Sequence, residues 1–203
     1  MFIICLDLEG ILTPEIWINV ALNTNIAELK LTTRDISDYD VLMKRRLKIL
    51  KEHNITLKDI QDVIKKMDLL PGALEFINWL REKNQIIILS DTFIEFGMPF
   101  LKKLGYPTLF CHDLEINKNG MITNYRLRIN DQKRKTIIAL NEMNYKTIAV
   151  GDSYNDTGML MAATHGILFN PPPNVIEEFP QFPIVKNYIE LKKLILKYKK
   201  NED

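Results

Sequence analysis

Two cysteines and three histidines are all that 203 residues provide, too few to suggest a disulfide framework or a zinc cage. Cys5 and Cys111 each lie in an apolar run, which suits small reduced thiols packed in a core. His53, His112 and His165 are scattered without metal-ligand spacing and, like both tryptophans, read as structural. No apolar stretch reaches the roughly 18 residues of a membrane span. The first residues lack the charged segment, apolar run and small-residue cleavage site of a secretory signal, so the expected location is cytoplasmic. Charge of one sign is missing too: 27 basic against 26 acidic residues leave a net +1. No cationic face therefore argues for binding to nucleic acid or a membrane surface. There is no internal repeat and no low-complexity segment.

The chain does have apolar side chains for a sizeable core, 46% against 26% charged. They fall in short runs suited to buried strands: Phe2 to Leu6, Ile86 to Leu89, Thr108 to Cys111, Thr147 to Val150 and Gly166 to Phe169. Helical patterns separate them, starting near Pro71, Phe93 and Asp131. Continuous apolar strands alternating with helices predict an α/β fold, a Rossmann-like doubly wound parallel sheet covered on both faces.

Two features interrupt the alternation. Between Pro14 and Leu70 only helical patterns occur, including Asp40 to His53 and a capped start at Thr56. This predicts a small all-helical insertion, residues 14–69, acting as a lid on a core built from 1–13 and 70–203. Further on, Leu114 to Ile116 and Met121 to Leu127 flank Asn119-Gly120, which predicts a β-hairpin closed by a type I′ turn. The prolines at 171–173, 180 and 183 mark an irregular loop, and Tyr198 to Asp203 read as a charged, frayed end.

The carboxylates carry the chemical signal. Asp7 and Glu9 follow the first strand, Asp152 follows the strand ending at Val150, and Asp156 comes four residues later. Open α/β sheets bind ligands at these carboxyl ends. Four carboxylates there call for a cation, and magnesium, which takes carboxylates, waters and phosphate oxygens, fits; manganese would suit the same oxygens. Ser90 and Asp91 end the strand through Leu89, and Lys133 opens the helix after the hairpin, with Lys135 as its competitor. Cations and hydroxyl donors of this kind neutralise a phosphate before an anionic carboxylate attacks it. Ser90 could also cap the following helix. On composition alone, Arg46 within Lys44 to Lys48 reads as part of a solvated helix face.

Asp7-Leu8-Glu9-Gly10, then Ser90, then Lys133, then Gly151-Asp152-Ser153-Tyr154-Asn155-Asp156 resembles the ordered motif set of the haloacid dehalogenase superfamily. The resemblance spans essentially the whole chain and places residues 14–69 where that superfamily inserts a helical cap. It implies that Asp7 is the nucleophile and that Glu9 is general acid and then base, with a pKa well above the roughly 4.3 of a free glutamate. It further implies magnesium on Asp7, the backbone carbonyl of Glu9 and Asp152, with Asp156 behind them. Ser90 and Lys133 would hold the phosphoryl oxygens. Most phosphatases of the superfamily have Asp where this chain has Glu9, which moves the acid by one methylene.

Glu15-Ile16-Trp17, Ser90-Asp91-Thr92-Phe93, Thr32 to Ile36 and Glu177 to Pro183 look closest to one branch of that superfamily, phosphoserine phosphatases that also transfer to homoserine. That likeness implies Glu15 at the substrate's amino group, Arg46 at its carboxylate, and Ser90, Asp91, Lys133 and Asn155 lining the rest. A zwitterion does call for such a charge pair. The likeness is also compatible with a homodimer. Another small phosphate ester as substrate, or a phospho-aspartate signalling receiver, would use similar residues, although receivers are shorter and lack a helical insertion.

Overall fold

The computed structural model describes residues 1–32, 35, 36 and 38–201. Thr33 and Arg34, part of the 32–36 likeness, lie outside the described residues, as do the last two of the chain. The chain order is β1 (Phe2–Leu6), α1 (Ile16–Thr24), α2 (Tyr39–Glu52), α3 (Leu57–Lys66), α4 (Ala73–Arg81) and β2 (Gln85–Phe93). Then come α5 (Ile94–Lys103), β3 (Thr108–Ile116), β4 (Ile122–Arg126), α6 (Gln132–Glu142) and β5 (Lys146–Gly151). The chain ends with α7 (Thr157–Ala162), β6 (His165–Phe169), α8 (Pro173–Glu178), β7 (Ile184–Val185) and α9 (Tyr188–Lys200).

The strands form one sheet in the order β4-β3-β2-β1-β5-β6-β7, parallel except for β4, which runs antiparallel to β3. β1 is central, paired with β2 on one side and β5 on the other. It is buried on both faces, which is why it reads as an unbroken apolar run rather than an alternation. Phe2, Ile4 and Leu6 pack on one face with Phe76, Ile77 and Leu80 of α4 and Leu191 and Ile195 of α9. Ile3 and Cys5 point to the other, among Ile137 and Leu140 of α6 and Met159 and Leu160 of α7. The predicted doubly wound α/β architecture is present.

A third apolar cluster lies outside these layers. Helices α1 to α3 contribute Ile16, Val20, Met43, Leu50, Ile60 and Ile64, packed against Phe96 and Phe100 of α5 and Leu114 and Ile122 of the hairpin. Thr56 and Asp59 cap α3 reciprocally, as the sequence suggested. The excursion begins and ends at one place: Leu70 N–H donates to the Leu12 carbonyl at 2.9 Å.

Four local expectations need correction. The proline-marked stretch is not all irregular loop: it holds α8, with Pro173 at the first helical position, where a missing N–H costs nothing. The hairpin does not close through a type I′ turn, which would require left-handed backbone at both Asn119 and Gly120. Only Gly120 has it, at φ 77°. Asn117 is the reason: its Oδ1 accepts from the Asn119 and Met121 N–H groups, and its backbone pairs with both Gly120 and Met121. The result is a three-residue loop ending on a left-handed glycine. Strand β2 extends through Ser90 and Asp91 to Phe93, but its register with β3 breaks between Leu89 and Phe93. At the other end of the chain, Tyr198 is not frayed. It lies in α9 with its ring stacked on His165 at 3.9 Å. Both cysteines are free and buried.

Candidate active site

The loop after β1 aims Asp7 into a cleft at the carboxyl ends of the strands. Leu8 N–H donates to Asp7 Oδ1 at 2.7 Å, and Asp7 N–H donates to the Val150 carbonyl, which continues the sheet ladder into the site. Gly10 then turns the chain with φ 76°, and a Cβ there would lie 2.5 Å from Asp152 Cγ. Only glycine gives both the left-handed backbone and the clearance that Asp152 needs.

Lys133 is the hub. Asp131 enters the helix in a left-handed conformation, and Gln132 and Lys133 at the first turn of α6 are both buried. Lys135 is exposed, so the competition between the two lysines resolves in favour of Lys133. Its Nζ lies 2.8 Å from Asp156 Oδ1, 3.0 Å from Asp7 Oδ1 and 3.5 Å from Asp91 Oδ2. Burial alone would lower the ammonium's pKa, but Asp156, Asp7 and Asp91 together hold it well above its usual range. Asp156 is fully buried and turns Oδ2 to the N–H groups of Asp152 and Ser153.

Asp7, Asp152 and Asp156 can bring one oxygen each within 4.8 Å of one another. Asp156, expected behind the ligands, lies near this group but has Oδ1 on Lys133 and Oδ2 on the Asp152 and Ser153 N–H groups. The Glu9 carboxylate is not part of this group. Burial, followed by the charge of Asp156, pushes the Asp7 carboxyl well up despite Lys133, so one ammonium does not balance these carboxylates. Hard oxygen donors with surplus negative charge fit a small divalent cation.

Glu9 turns the other way. Its Oε2 accepts from Ile16 N–H at 2.7 Å, at the start of α1. Burial, then the neighbouring Glu15, raises its pKa to about 8 even with that bond opposing the shift. Ser90 is buried and its Oγ accepts from Thr92 N–H at 3.2 Å, so it does not cap α5, which begins at Ile94. Asn155 Nδ2 faces Asp91 Oδ2 at 3.4 Å.

Arg46 is not on a solvated face. It is 6% exposed, stacks 4.5 Å over the Trp17 ring and donates from Nη2 to the Leu31 carbonyl at 2.8 Å. Among the described residues, its Nε is the sole buried side-chain nitrogen or oxygen without a partner. Burial lowers its pKa to about 10. Arg46, Trp17 and half-buried Glu15 line the same cleft of about 1080 Å³ as Asp7, Glu9, Ser90, Asp91, Lys133, Asp152 and Asn155. All the anticipated site residues except fully buried Asp156 therefore line one cavity.

Sequence reasoning missed Trp17, Tyr39, His112 and Gln132. Trp17 had a signal, its position two residues after Glu15. The others had none, because a lone Tyr, His or Gln carries no pattern until the fold brings partners to it.

A parallel sheet with carboxylates and a buried lysine gathered at its carboxyl ends defines an α/β protein whose site can hold an anionic group beside a cation. Comparison with known proteins narrows the class. Residues 3–164 match the family model for haloacid dehalogenase-like hydrolases, and the chain belongs to that family. It is 57% identical over 197 residues to the phosphoserine phosphatase ThrH of Pseudomonas aeruginosa, covering 97% of this chain and 96% of that protein. It is 54% identical over 200 residues to a phosphoserine phosphatase of Pseudomonas syringae pv. tomato, covering 98% and 84%. A solved structure described as a phospho-aspartyl intermediate analogue of phosphoserine phosphatase superposes with a TM-score of 0.72. It covers 97% of both chains at 20% identity, a likeness of fold.

Proposed function

We propose that this protein is a phosphoserine phosphatase that passes the phosphoryl group through Asp7 to water and, when it is present, to homoserine. The observation that carries the reading is the buried Asp7–Lys133–Asp156 contact set, with a second carboxyl, Glu9, raised to about 8 in the same cleft. Asp7 offers a carboxyl that a bound cation would keep ionised as a nucleophile, while Glu9 holds a proton at neutral pH, the pairing that covalent phosphoryl transfer needs.

Asp7 Oδ1 is held by Leu8 N–H and Lys133, so Oδ2 attacks phosphorus as the bond to the serine oxygen breaks. Glu9 Oε2 is occupied by Ile16 N–H, so its proton sits on Oε1 and goes to the departing serine oxygen. The resulting carboxylate takes a proton from water, whose oxygen displaces Asp7 from phosphorus and restores the free enzyme. Lys133 and Ser90 hold the phosphoryl oxygens. Magnesium would be held by Asp7, Asp152 and the backbone carbonyl of Glu9, with Asp156 beside them, and supplies positive charge to the transferring group.

Arg46, fixed by Trp17 and Leu31 with Nε unpaired, suits the substrate carboxylate, and Glu15 suits its ammonium. Asp91 and Asn155 line the remaining wall. Homoserine differs from the leaving serine by one methylene, so the same charge pair would hold it in a cleft of this size. We take residues 14–69 as a cap on a core of 1–13 and 70–203, supported by the Leu70–Leu12 hydrogen bond at its base. The free buried thiols suit the cytoplasm, and no described helix is long and apolar enough to cross a membrane.

Phosphorus NMR of the protein with magnesium and phosphoserine, with and without homoserine, tests this reading. Inorganic phosphate is expected in both samples and a second phosphate ester only with homoserine. No turnover of phosphoserine would overturn the assignments of Glu15 and Arg46.

A further inference from the structure

The register break in β2 leaves Ser90 to Thr92 outside its regular ladder with β3. Side chains hold this stretch instead. Gln132 Nε2 donates to the Ser90 carbonyl at 2.6 Å, and Tyr39 Oη donates to the Asp91 carbonyl at 3.1 Å. Asp91 Oδ2 faces Lys133 and Asn155, while Asp91 Oδ1 faces His112 Nε2 at 3.8 Å.

The proton on His112 can be assigned from its neighbours. Arg128 N–H donates to His112 Nδ1 at 3.2 Å, so Nδ1 carries no hydrogen. Gln132 Nε2 also lies 3.3 Å from His112 Nε2, but that amide is oriented by its two other bonds. Its Oε1 accepts from Arg128 Nη2 at 3.0 Å, and its nitrogen donates to Ser90. The neutral ring therefore carries its hydrogen on Nε2, directed toward the Asp91 carboxylate. At 3.8 Å the two are in electrostatic contact.

We propose that His112 is a positioning residue: buried beneath the broken ladder, it directs Asp91 against Lys133 and Asn155, and so sets the lysine that meets the phosphoryl group. Asp91 gives Lys133 its third carboxylate contact and the longest of the three, so it is the contact most in need of support. Burial would raise the Asp91 carboxyl, yet Lys133, His112 and Asn155 outweigh it and hold the group below the usual range. The proposal rests on the phosphatase reading for its substrate and on these contacts for its geometry.

Two variants separate the ring's two roles. His112→Asn keeps an acceptor for Arg128 N–H but cannot reach Asp91, whereas His112→Gln extends an amide donor to it. The expected result is a kcat for phosphoserine lowered roughly ten- to hundredfold in His112→Asn, the scale of a misplaced catalytic group, with a partial recovery in His112→Gln. Combining His112→Asn with Asp91→Asn should be no worse than Asp91→Asn alone, because the first acts through the second. Additive losses, or equal rates for the Asn and Gln variants, would overturn the proposal. Long-range proton–nitrogen NMR of the imidazole gives a readout independent of substrate. A hydrogen on Nε2 is expected, and one on Nδ1 would end the idea. Running the same variants on an aryl phosphate separates this result from a failure of phosphoserine as substrate.

Discussion

Glu9 is a carboxyl whose neighbours decide its chemistry. With its pKa raised to about 8, the acid form dominates in neutral solution and is lost as pH rises through that value. For phosphoserine, kcat/KM should decline above about 8 with unit slope in a pH–rate profile. A Glu9→Gln variant should lack that limb and turn over more slowly. Stability follows the same sign: burial favours the protonated form, so its contribution is full below the ordinary value of 4.5 and is lost as pH rises through about 8. Arg46 shows a second residue-scale effect. Its guanidinium is pre-set by Trp17 and the Leu31 carbonyl. Arg46→Ala should raise KM for phosphoserine roughly 10- to 100-fold, the scale of a lost charge-assisted bond, and leave KM for an aryl phosphate nearly unchanged in steady-state assays. Arg46→Lys should rescue little, because a lysine neither stacks flat on Trp17 nor forks.

Elements differ in how plainly the sequence announces them. β1, β5 and β6 were legible because strands buried on both faces cannot hide their apolar runs, and α3 because Thr56 and Asp59 form its cap. The hairpin was legible, but its turn was not: a single side-chain acceptor, Asn117, outweighed the local preference of Asn119-Gly120. β7 has only two residues and leaves no pattern. Asp7, Asp152 and Lys133 could be found because strand ends and helix starts mark them, whereas His112 and Gln132 depend on pairings 16 to 42 residues apart. The tightest element-scale constraint is the turn after β1. Gly10→Ala meets both a left-handed backbone and a contact of 2.5 Å with Asp152. Strained backbone of this kind costs about 1–3 kcal/mol, and the displaced carboxylate should lower kcat far more than thermal stability falls. Calorimetry alongside kinetics would show the two effects separating.

For the molecule as a whole, metal binding at the carboxylate cluster would be linked to folding. Asp7, Asp152 and Asp156 come from two different strand ends and meet only in the folded chain. A cation that binds this set and not the unfolded chain should stabilise it by about 2.7 kcal/mol at a hundredfold excess over its Kd. At this chain length that corresponds to a Tm rise of roughly 5–10 °C in a thermal-shift assay with magnesium. Chelation should reverse the rise and abolish turnover, and Asp152→Asn should flatten it. Asp7→Asn should remove turnover by at least about a thousandfold, as expected for a lost nucleophile, while the variant stays folded by circular dichroism.

The central place of β1 also bears on the order in which the chain is made. This strand leaves the ribosome before both of its neighbours, which begin at Gln85 and Lys146. At about 5–20 residues per second, the second edge of β1 waits roughly seven to thirty seconds for its partner to be synthesised. Throughout that interval Lys133 and the last two carboxylates of the cluster are still incomplete or unfolded, so the nascent chain can neither bind a cation tightly nor attack an ester. Activity would therefore appear late and abruptly during translation, when Asp156 emerges and the sheet closes around the oldest strand.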